Sequence, residues 1–255
     1  MLVGFVIPAH NEQGLLGPTL DAIHQAAPRE FAGRAEYVVV VADDASTDST
    51  AALARGRGAE VVSIDARQIA AARNAGARRA LELGCDRLVF VDADTTLRRA
   101  ALGGAMTAID RGAAGGGAPC RFDGEVRPLA RIVLASILVL FRLLRLSGGC
   151  FLFCRADAFR AIGGFDETVY ASEEILFCRG IARQGRFVVL REHVITSGRK
   201  VRAYSARELV GLSFKIAIQG RKGVQSRRGL DIWYGPRRPD PQKPQSPTMP
   251  SHGSA

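Results

Sequence analysis

The sequence predicts an α/β fold with a mainly parallel central sheet, helices on both of its faces and amphipathic helices near the C-terminus. Short β-branched runs alternate with helix-like segments through the first half of the chain, which is the order found in parallel sheets. These runs are apolar almost without interruption, as in strands that are buried on both faces. The 255 residues, of which 47% are hydrophobic and 24% charged, suffice for one large globular domain or two small ones.

Four strands, each followed by a helix, are predicted before Gly112. The predicted strands are Leu2–Pro8, Glu36–Ala42, Glu60–Ile64 and Arg87–Val91. The predicted helices are Gly14–Ala26, a helix that follows the start signal at residues 46–49 and runs to about Arg55, Arg67–Leu83 and Leu97–Arg111. The serines and threonine at 46–49 are typical of a helix start, because their side-chain oxygens accept hydrogen bonds from free backbone N–H groups.

The pattern changes after Gly112. Gly112–Ala118 lacks the Lys-Ser/Thr of a phosphate-binding loop, so we predict a strand or a tight bend there. The remaining predictions are strands at Phe151–Cys154 and Phe187–Leu190 and helices at Leu129–Leu146, Asp157–Ile162 and Ser172–Gln184. We divide the chain into one domain with halves at 1–112 and 113–200, a basic amphipathic helical segment at 201–235 and a disordered tail at 236–255, where six of the eleven prolines lie.

Positive charge is concentrated at one end of the chain. The net charge is +10, and from Arg199 onward twelve basic residues outnumber three acidic ones. This distribution predicts an anionic surface as the partner of the C-terminal part alone. The five cysteines include no Cys-x-x-Cys pair, which argues against a disulfide framework or a zinc site. No basic segment precedes the first apolar run, so we expect a cytoplasmic location.

Two apolar segments are flanked by basic residues. In Leu129–Leu146, the side chains of Arg131, Arg142 and Arg145 fall on one face of a helix, opposite a broad apolar surface. A second segment, Leu209–Ile218, precedes another basic cluster. This pattern is typical of helices in a membrane interface, so we predict peripheral attachment to an anionic membrane surface on its inner, cytoplasmic face. The alternative is that the first segment is a buried core helix.

Carboxylates follow three of the predicted strands. They are Glu12 after the first strand, Asp43 and Asp44 after the second, and Asp92 and Asp94 after the fourth. Because the carboxyl ends of parallel strands share one edge, where ligands bind in open α/β sheets, we expect these groups on one rim. Carboxylates this close repel each other unless a cation neutralises them, and a divalent cation there would bind a diphosphate. The alternative is that these residues start helices and turns.

Six strings occur along the chain in the order IPAHNE, VADDASTDST, ARNAG, VFVDAD, CRADAFRAIGGFDE and SEE-x-x-x-CRG-x-x-x-x-G, over about residues 1–200. Their combination and spacing resemble the family 2 glycosyltransferases, which are inverting enzymes with the Rossmann-related GT-A fold. The resemblance implies that 1–112 binds a nucleotide-diphosphate sugar and that 113–200 binds the acceptor. It also implies Mg2+ or Mn2+ as cofactor.

The resemblance assigns nucleotide-sugar binding to residues at the strand ends and in ARNAG. They are Pro8, Ala9, Glu12, Asp43, Asp44, Arg73 and Asp92. Asp92 and Asp94 match the DxD element of the family, in which the first aspartate faces the ribose and the second holds the metal ion on the diphosphate. Gly148, Gly149 and Asp166 match the acceptor region.

An acidic pair matches the catalytic position of the family, with one departure. This chain has Glu173-Glu174 where the family typically has Glu-Asp, so the resemblance makes Glu174 the base that accepts the proton of the acceptor hydroxyl, with Glu173 second. One extra methylene displaces the carboxylate, and a misplacement of about 1 Å costs on the order of 100-fold in rate. Backbone compensation, a weak enzyme and a loss of activity all stay open. From the residues alone, acids that stabilise the first turn of a helix are equally compatible.

The leading hypothesis is a metal-dependent, inverting glycosyltransferase at the cytoplasmic membrane face, with a glycan or lipid-linked acceptor. The alternative is a catalytically weak or inactive membrane-bound scaffold that binds nucleotide sugars. A dehydrogenase is disfavoured because GxGxxG is absent after the first strand. Nucleic-acid binding is disfavoured because aromatic residues make up only 7% of the chain. Arg199 and Lys200 either close over the diphosphate or form a solvated basic loop.

Overall fold

The structure, a computed structural model, describes residues 1–125, 131, 136, 139, 141–205, 208, 211, 223–235 and 238–242. Its strands are β1 (Leu2–Ala9), β2 (Glu36–Asp44), β3 (Glu60–Ile64), β4 (Arg87–Val91), β5 (Thr95–Thr96), β6 (Gly115–Gly117), β7 (Cys120–Phe122), β8 (Phe151–Arg155), β9 (Phe187–Val189) and β10 (Val194–Thr196). Its helices are α1 (Leu16–Phe31), α2 (Thr50–Gly56), α3 (Ile69–Glu82), α4 (Arg99–Asp110), α5 (Ala156–Ile162), α6 (Glu173–Gln184), α7 (Arg199–Ala203) and α8 (Asp231–Tyr234).

The central sheet has seven strands in the order β3-β2-β1-β4-β8-β6-β9. Strand β1 is parallel to β2 and β4, and β3 is parallel to β2. Strand β8 is antiparallel to both β4 and β6, whereas β9 is parallel to β6. A second sheet has the order β5-β10-β7. The predicted α/β fold with a mainly parallel sheet is therefore confirmed.

Successive side chains of the central strands pack into two separate cores. Phe5 and Ile7 belong to the core that includes residues of α1 and α4. Val6 and Phe90 belong to the core that includes residues of α3, α5 and α6. All four side chains are completely buried. Burial on both faces of the sheet explains why these strands are apolar without interruption.

The glycine-rich run after Gly112 forms the inner strand β6. A Cβ atom on Gly116 would collide with the carbonyl oxygen of Val188 on β9, and one on Gly115 would collide with that of Phe153 on β8. A side chain at either position would force the neighbouring strand to move. The glycines of this run therefore allow β6 to pack closely between β8 and β9.

Helix α2 begins at Thr50, directly after the predicted start at residues 46–49, and Ser49 is its N-cap residue. The polar residues before Thr50 bond to the loop that follows β1 instead of continuing a helix. The backbone N–H of Asn11 donates to Ser46 Oγ at 2.9 Å, and that of Thr47 donates to Asn11 Oδ1 at 2.7 Å. These bonds fix the two loops that follow β1 and β2 against each other.

Several short elements are not predicted by the sequence. Each of β5, β7, β10, α7 and α8 spans only two to five residues, which is too short for a hydrophobic period to be visible. Helix α1 continues past its predicted end at Ala26 to Phe31 and contains Pro28 in its last turn. A proline at that point removes only one hydrogen bond of the helix.

Half of Leu129–Leu146 and nearly all of Leu209–Ile218 lie outside the described residues, as does most of the predicted tail at 236–255. Among the residues that the structure describes, no helix combines the length and the hydropathy needed to cross a bilayer.

Candidate active site

A cleft of about 1030 Å³ opens at the carboxyl ends of β1 and β4. Ten of the predicted site residues line it, namely Pro8, Ala9, Glu12, Asp44, Arg73, Asp92, Asp94, Gly149, Glu173 and Glu174. The sheet order explains this grouping, because β1 lies between β2 and β4 and all three run in the same direction. We call the carboxylates of Glu12, Asp92, Asp94, Glu173 and Glu174 the acidic floor of the cleft.

Arg73 of α3 joins two carboxylates of the acidic floor. Its Nη2 donates to Asp92 Oδ1 at 2.9 Å and to the carbonyl oxygen of Gly149 at 3.1 Å, and its Nη1 donates to Glu173 Oε1 at 2.8 Å. The Arg73 side chain is only 2% exposed. Burial opposes its charge, but the carboxylates of Asp92, Glu173 and Glu174 outweigh this effect and raise the pKa of Arg73. The guanidinium therefore stays charged and ties the end of β4 to the start of α6.

Glu174 lies at the start of α6, beside the buried Glu173. Burial and then repulsion by Glu173 raise the pKa of Glu174 well above its usual range, and the nearby Arg73 offsets only part of this effect. A carboxyl group with a raised pKa is a stronger base once it is ionised. Its position in the cleft suits it to accept a proton from a bound hydroxyl group.

Arg199 of α7 joins two other carboxylates of the acidic floor. Its Nη2 donates to Glu12 Oε1 at 2.6 Å and lies 3.2 Å from Asp94 Oδ2. The Thr196 hydroxyl donates to Asp94 Oδ1 at 3.3 Å. Burial opposes the charge of Arg199, but the two carboxylates outweigh it and raise its pKa. Arg199 and its neighbour Lys200 both line the cleft, so the prediction of a solvated basic loop is wrong for Arg199.

The two aspartates at the end of β2 have different surroundings. Asp44 lines the cleft, and its carboxylate accepts hydrogen bonds from the backbone N–H groups of Ala66, Arg67 and Gln68 at 2.8, 2.7 and 2.6 Å. Asp43 is 7% exposed, does not line the cleft and has no hydrogen-bond partner for Oδ1 in the described part of the chain. Successive residues of a strand face opposite sides of a sheet, which separates the two carboxylates.

Two residues of the predicted acceptor region also lie outside the cleft. Gly148 lines a smaller cavity of about 190 Å³ together with Phe141 and Leu146. The Asp166 carboxylate accepts hydrogen bonds from the backbone N–H and the hydroxyl group of Thr168, at 2.9 and 2.6 Å. Its bonds to Thr168 make Asp166 part of a local turn.

Residues 223–235 form a further wall of the cleft, which the sequence does not predict. Val224 and Leu230 are buried in a small cluster with Val169. The backbone N–H of Tyr170 donates to the carbonyl oxygen of Val224 at 2.6 Å. These contacts hold the segment against the residues that precede α6.

Two tyrosines and two arginines line this part of the cleft. The Arg227 Cζ atom lies 5.2 Å from the ring centroid of Tyr170 and 5.8 Å from that of Tyr234, and its Nη2 donates to the carbonyl oxygen of Ala66 at 2.7 Å. Arg67, which follows Ala66, also lines the cleft. We call Arg67, Arg227, Tyr170 and Tyr234 the arginine wall.

Two residues of the acidic floor carry the type of ligand that a divalent cation requires. Asp92 and Asp94 line the same cleft, and carboxylate oxygens are the hard ligands that Mg2+ prefers, usually together with phosphate oxygens of a substrate. Within the described ranges, no group of three His, Cys, Asp or Glu residues is arranged as a complete metal site.

A family model described as glycosyl transferase family 2 matches residues 5–161. No curated protein matches the chain. The family match includes Glu12, Arg73, Asp92 and Asp94, and it confirms the resemblance drawn from the sequence strings.

Solved structures share the fold at low sequence identity. S. aureus TarS 1–349 is 18% identical with a TM-score of 0.58, over 91% of this chain and 69% of that one. A mannosyltransferase from Pyrobaculum calidifontis, in complex with GDP-Man and Mn2+, is 21% identical with a TM-score of 0.60, over 85% of this chain and 64% of that one. Glucosyl-3-phosphoglycerate synthase from Mycobacterium tuberculosis, in complex with Mn2+, UDP and glucosyl-3-phosphoglycerate, is 19% identical with a TM-score of 0.56, over 88% of this chain and 80% of that one.

These likenesses confirm the predicted GT-A-like fold. The chain is shorter than these proteins, since it spans less than two thirds of the mannosyltransferase and 42% of a longer TarS structure.

Proposed function

This chain belongs to glycosyl transferase family 2, and from that premise we propose that it transfers a sugar from a nucleotide-diphosphate donor to a glycan or lipid-linked acceptor, with Mg2+ or Mn2+ and with inversion. One observation supports the proposal above all others. Arg73 hydrogen-bonds both to Asp92, at the end of β4, and to Glu173, beside Glu174 at the start of α6. The groups suited to hold a diphosphate and the group suited to accept a proton therefore share one cleft.

On the donor side, the diphosphate needs positive charge in order to leave. Asp92 and Asp94 would hold the divalent ion, which stabilises the departing diphosphate as a Lewis acid. Arg199 and Lys200 line the same cleft and would donate charge-assisted hydrogen bonds to phosphate oxygens. Two proteins of similar fold, the mannosyltransferase and the glucosyl-3-phosphoglycerate synthase, are in complex with Mn2+, which supports the choice of cofactor.

On the acceptor side, Glu174 takes the proton of the acceptor hydroxyl group. The hydroxyl oxygen attacks the anomeric carbon from the face opposite the diphosphate, so the new glycosidic bond forms as the bond to the diphosphate breaks, and the configuration inverts. Glu173 remains paired with Arg73, which leaves Glu174 as the base. A positioned general base contributes about 100-fold or more to such a step.

The alternative is a catalytically weak or inactive scaffold that binds nucleotide sugars, and one observation favours it. The raised pKa of Glu174 leaves much of this carboxyl group protonated at neutral pH, where it cannot accept a proton. The glutamate also stands where the family typically has an aspartate.

The variant Glu174→Gln separates the two functions, because glutamine keeps the shape of the side chain but does not accept a proton. We expect nucleotide affinity, measured by calorimetry, to be unchanged and sugar transfer from UDP- or GDP-sugars to fall about 100-fold or more. Equal turnover in the wild type and the variant would exclude Glu174 as the base. Nucleotide binding without turnover in either protein would support the scaffold.

We further propose peripheral attachment to an anionic membrane surface on its cytoplasmic face. Val139, Leu143 and Leu144 are 58%, 75% and 57% exposed, and Arg142 and Arg145 are exposed beside them. Exposed apolar side chains next to arginines are typical of a membrane interface. The test is sedimentation with anionic liposomes, and an absence of binding at low salt would remove this proposal.

A further inference from the structure

Two arginines of the cleft have no part in the proposed donor chemistry. The side chains of Arg67 and Arg227 are exposed and line the cleft. Within the described ranges, neither of them has a carboxylate partner, whereas Arg73 and Arg199 each have two. A guanidinium group without a carboxylate partner keeps its charge available to an anion.

The Arg227 guanidinium is held in place before any ligand binds. It packs against the rings of Tyr170 and Tyr234, with Cζ 5.2 and 5.8 Å from the two ring centroids. One of its five N–H donors is bonded to the carbonyl oxygen of Ala66 at 2.7 Å. The buried side chains of Val224 and Leu230 anchor the segment on both sides of it. Little side-chain freedom is left to lose when a ligand binds, which favours affinity.

The loop that carries Arg67 is equally fixed. Arg67 has a positive φ of 52°, and the Asp44 carboxylate accepts the N–H groups of Arg67 and of both its neighbours. The hydrogen bond from Arg227 to Ala66 joins this loop to the arginine wall. Arg227 is therefore held against the backbone of the Arg67 loop by a contact that leaves its charge in place, and both arginines line the same cleft.

The arginine wall adjoins the helix that carries the proposed base. The Gln68 Nε2 atom donates to the carbonyl oxygens of Glu167 and Val169 at 2.7 and 3.0 Å, which ties the Arg67 loop to the segment that leads into α6. Tyr170 lies four residues before Glu174. The exposed cations are thus on the side of the cleft where the acceptor has to meet Glu174.

We propose that Arg67 and Arg227 bind a phosphate group of the acceptor. Two guanidinium forks match the charge of a phosphate and its oxygen geometry. The inference rests on the proposed function and names the chemical class of its acceptor. The phosphate belongs either to a lipid headgroup or to a soluble phosphorylated acceptor, and both sources present the same oxyanion.

The experiment uses the full chain with its donor site filled by UDP and Mn2+, so that added phosphate meets only the remaining sites. Inorganic phosphate is titrated calorimetrically into the wild type, Arg67→Gln, Arg227→Gln and Arg227→Lys. Arg160→Gln is the matched control, because Arg160 is exposed on α5 and does not line the cleft. UDP affinity is measured on every variant, and thermal melting confirms that each is folded.

We expect phosphate to bind the wild type and Arg160→Gln equally, and to bind each glutamine variant about tenfold more weakly or worse, since hydrogen bonds to charged groups are lost. The phosphate affinity of Arg227→Lys should lie between that of the wild type and that of Arg227→Gln, because lysine keeps the charge but loses the forked guanidinium group. UDP affinity should be the same in all five proteins. Phosphate affinity that is unchanged in both glutamine variants would overturn the inference, as would a parallel loss of UDP affinity, which would assign the arginines to the donor.

Two further arms identify the source of the phosphate. If the phosphate belongs to a lipid, vesicles of phosphatidylcholine with phosphatidic acid should retain the wild type better than Arg227→Gln. If the acceptor is soluble, glycerol 3-phosphate should bind the wild type more tightly than Arg227→Gln. No difference between these proteins in either arm would count against the inference. Failure of UDP to bind the wild type would instead defeat the proposed function.

Discussion

The two sides of the cleft use arginine in opposite ways. In the acidic floor, Arg73 joins Asp92 to Glu173, and Arg199 joins Glu12 to Asp94. On the arginine wall, Arg227 packs on aromatic rings and bonds a backbone carbonyl. An arginine between two carboxylates has its charge balanced within the protein, as Arg73 and Arg199 do, whereas one that lacks them keeps most of its donors for a ligand. The difference separates the arginine that builds the donor site, Arg73, from those that we assign to the acceptor.

The largest expected difference between the two sides is in the free energy of unfolding after one arginine of each side is replaced. Arg73→Met leaves the carboxylates of Asp92 and Glu173 without their partner, and breaking a buried pair in this way costs about 3–5 kcal/mol. Arg227→Met loses exposed ring contacts of about 1 kcal/mol or less. Denaturant unfolding monitored by circular dichroism measures both values.

The matched control for the first variant is Arg79→Met, on the same helix. Arg79 pairs with Glu60 and Glu82 at the surface, so its replacement should have little effect on unfolding. Similar losses for Arg73→Met and Arg227→Met would erase the distinction between the two sides.

The pH dependence of sugar transfer should report the acidic floor alone. Burial and repulsion by Glu173 raise the pKa of Glu174, and only the ionised carboxylate accepts a proton. Turnover should therefore rise about tenfold per pH unit below the raised pKa and level off above it. The rise should lie at higher pH than an ordinary glutamate would give.

Glu174→Gln should lack this rise, while Arg227→Gln should keep it, since a guanidinium group does not titrate in this range. A profile that is already flat from pH 5 upward would mean that no carboxyl group with a raised pKa takes part.

Removal of Arg199 should strengthen Mn2+ binding in the absence of nucleotide. Its guanidinium neutralises Glu12 and Asp94, so a metal ion has to compete with it for Asp94. Arg199→Gln should raise Mn2+ affinity roughly tenfold, because a hydrogen bond to a charged group contributes about 1.5 kcal/mol. Electron paramagnetic resonance of free Mn2+ measures the change, and an equal or weaker affinity in the variant would contradict it.

The part of the acidic floor formed by Glu12, Asp92 and Asp94 could be predicted because it follows from the order of strands, whereas Glu173 and Glu174 lie on α6 and are identified through the family resemblance. Once β1, β2 and β4 are parallel neighbours, the residues after them meet at one edge, whatever the details of packing. The choice between Asp43 and Asp44 is finer. It depends on where β2 ends and on which face each residue presents, and the apolar pattern does not determine either.

The arginine wall could not be predicted for a different reason. Its position depends on Val224 and Leu230, two isolated apolar residues in a basic stretch that gives no periodic signal. Only tertiary packing against Val169 brings Arg227 to the cleft. From composition alone, the same basic residues indicate binding to an anionic membrane surface instead.

The central claim is that Asp94 holds a metal ion on a nucleotide diphosphate in this cleft. Calorimetric titration of UDP and GDP into the wild type and Asp94→Asn, each with and without Mn2+, tests it directly. The account predicts that Mn2+ tightens binding of one nucleotide by about tenfold or more in the wild type and that Asp94→Asn loses this gain. The same gain in both proteins, or no binding of either nucleotide, would contradict it.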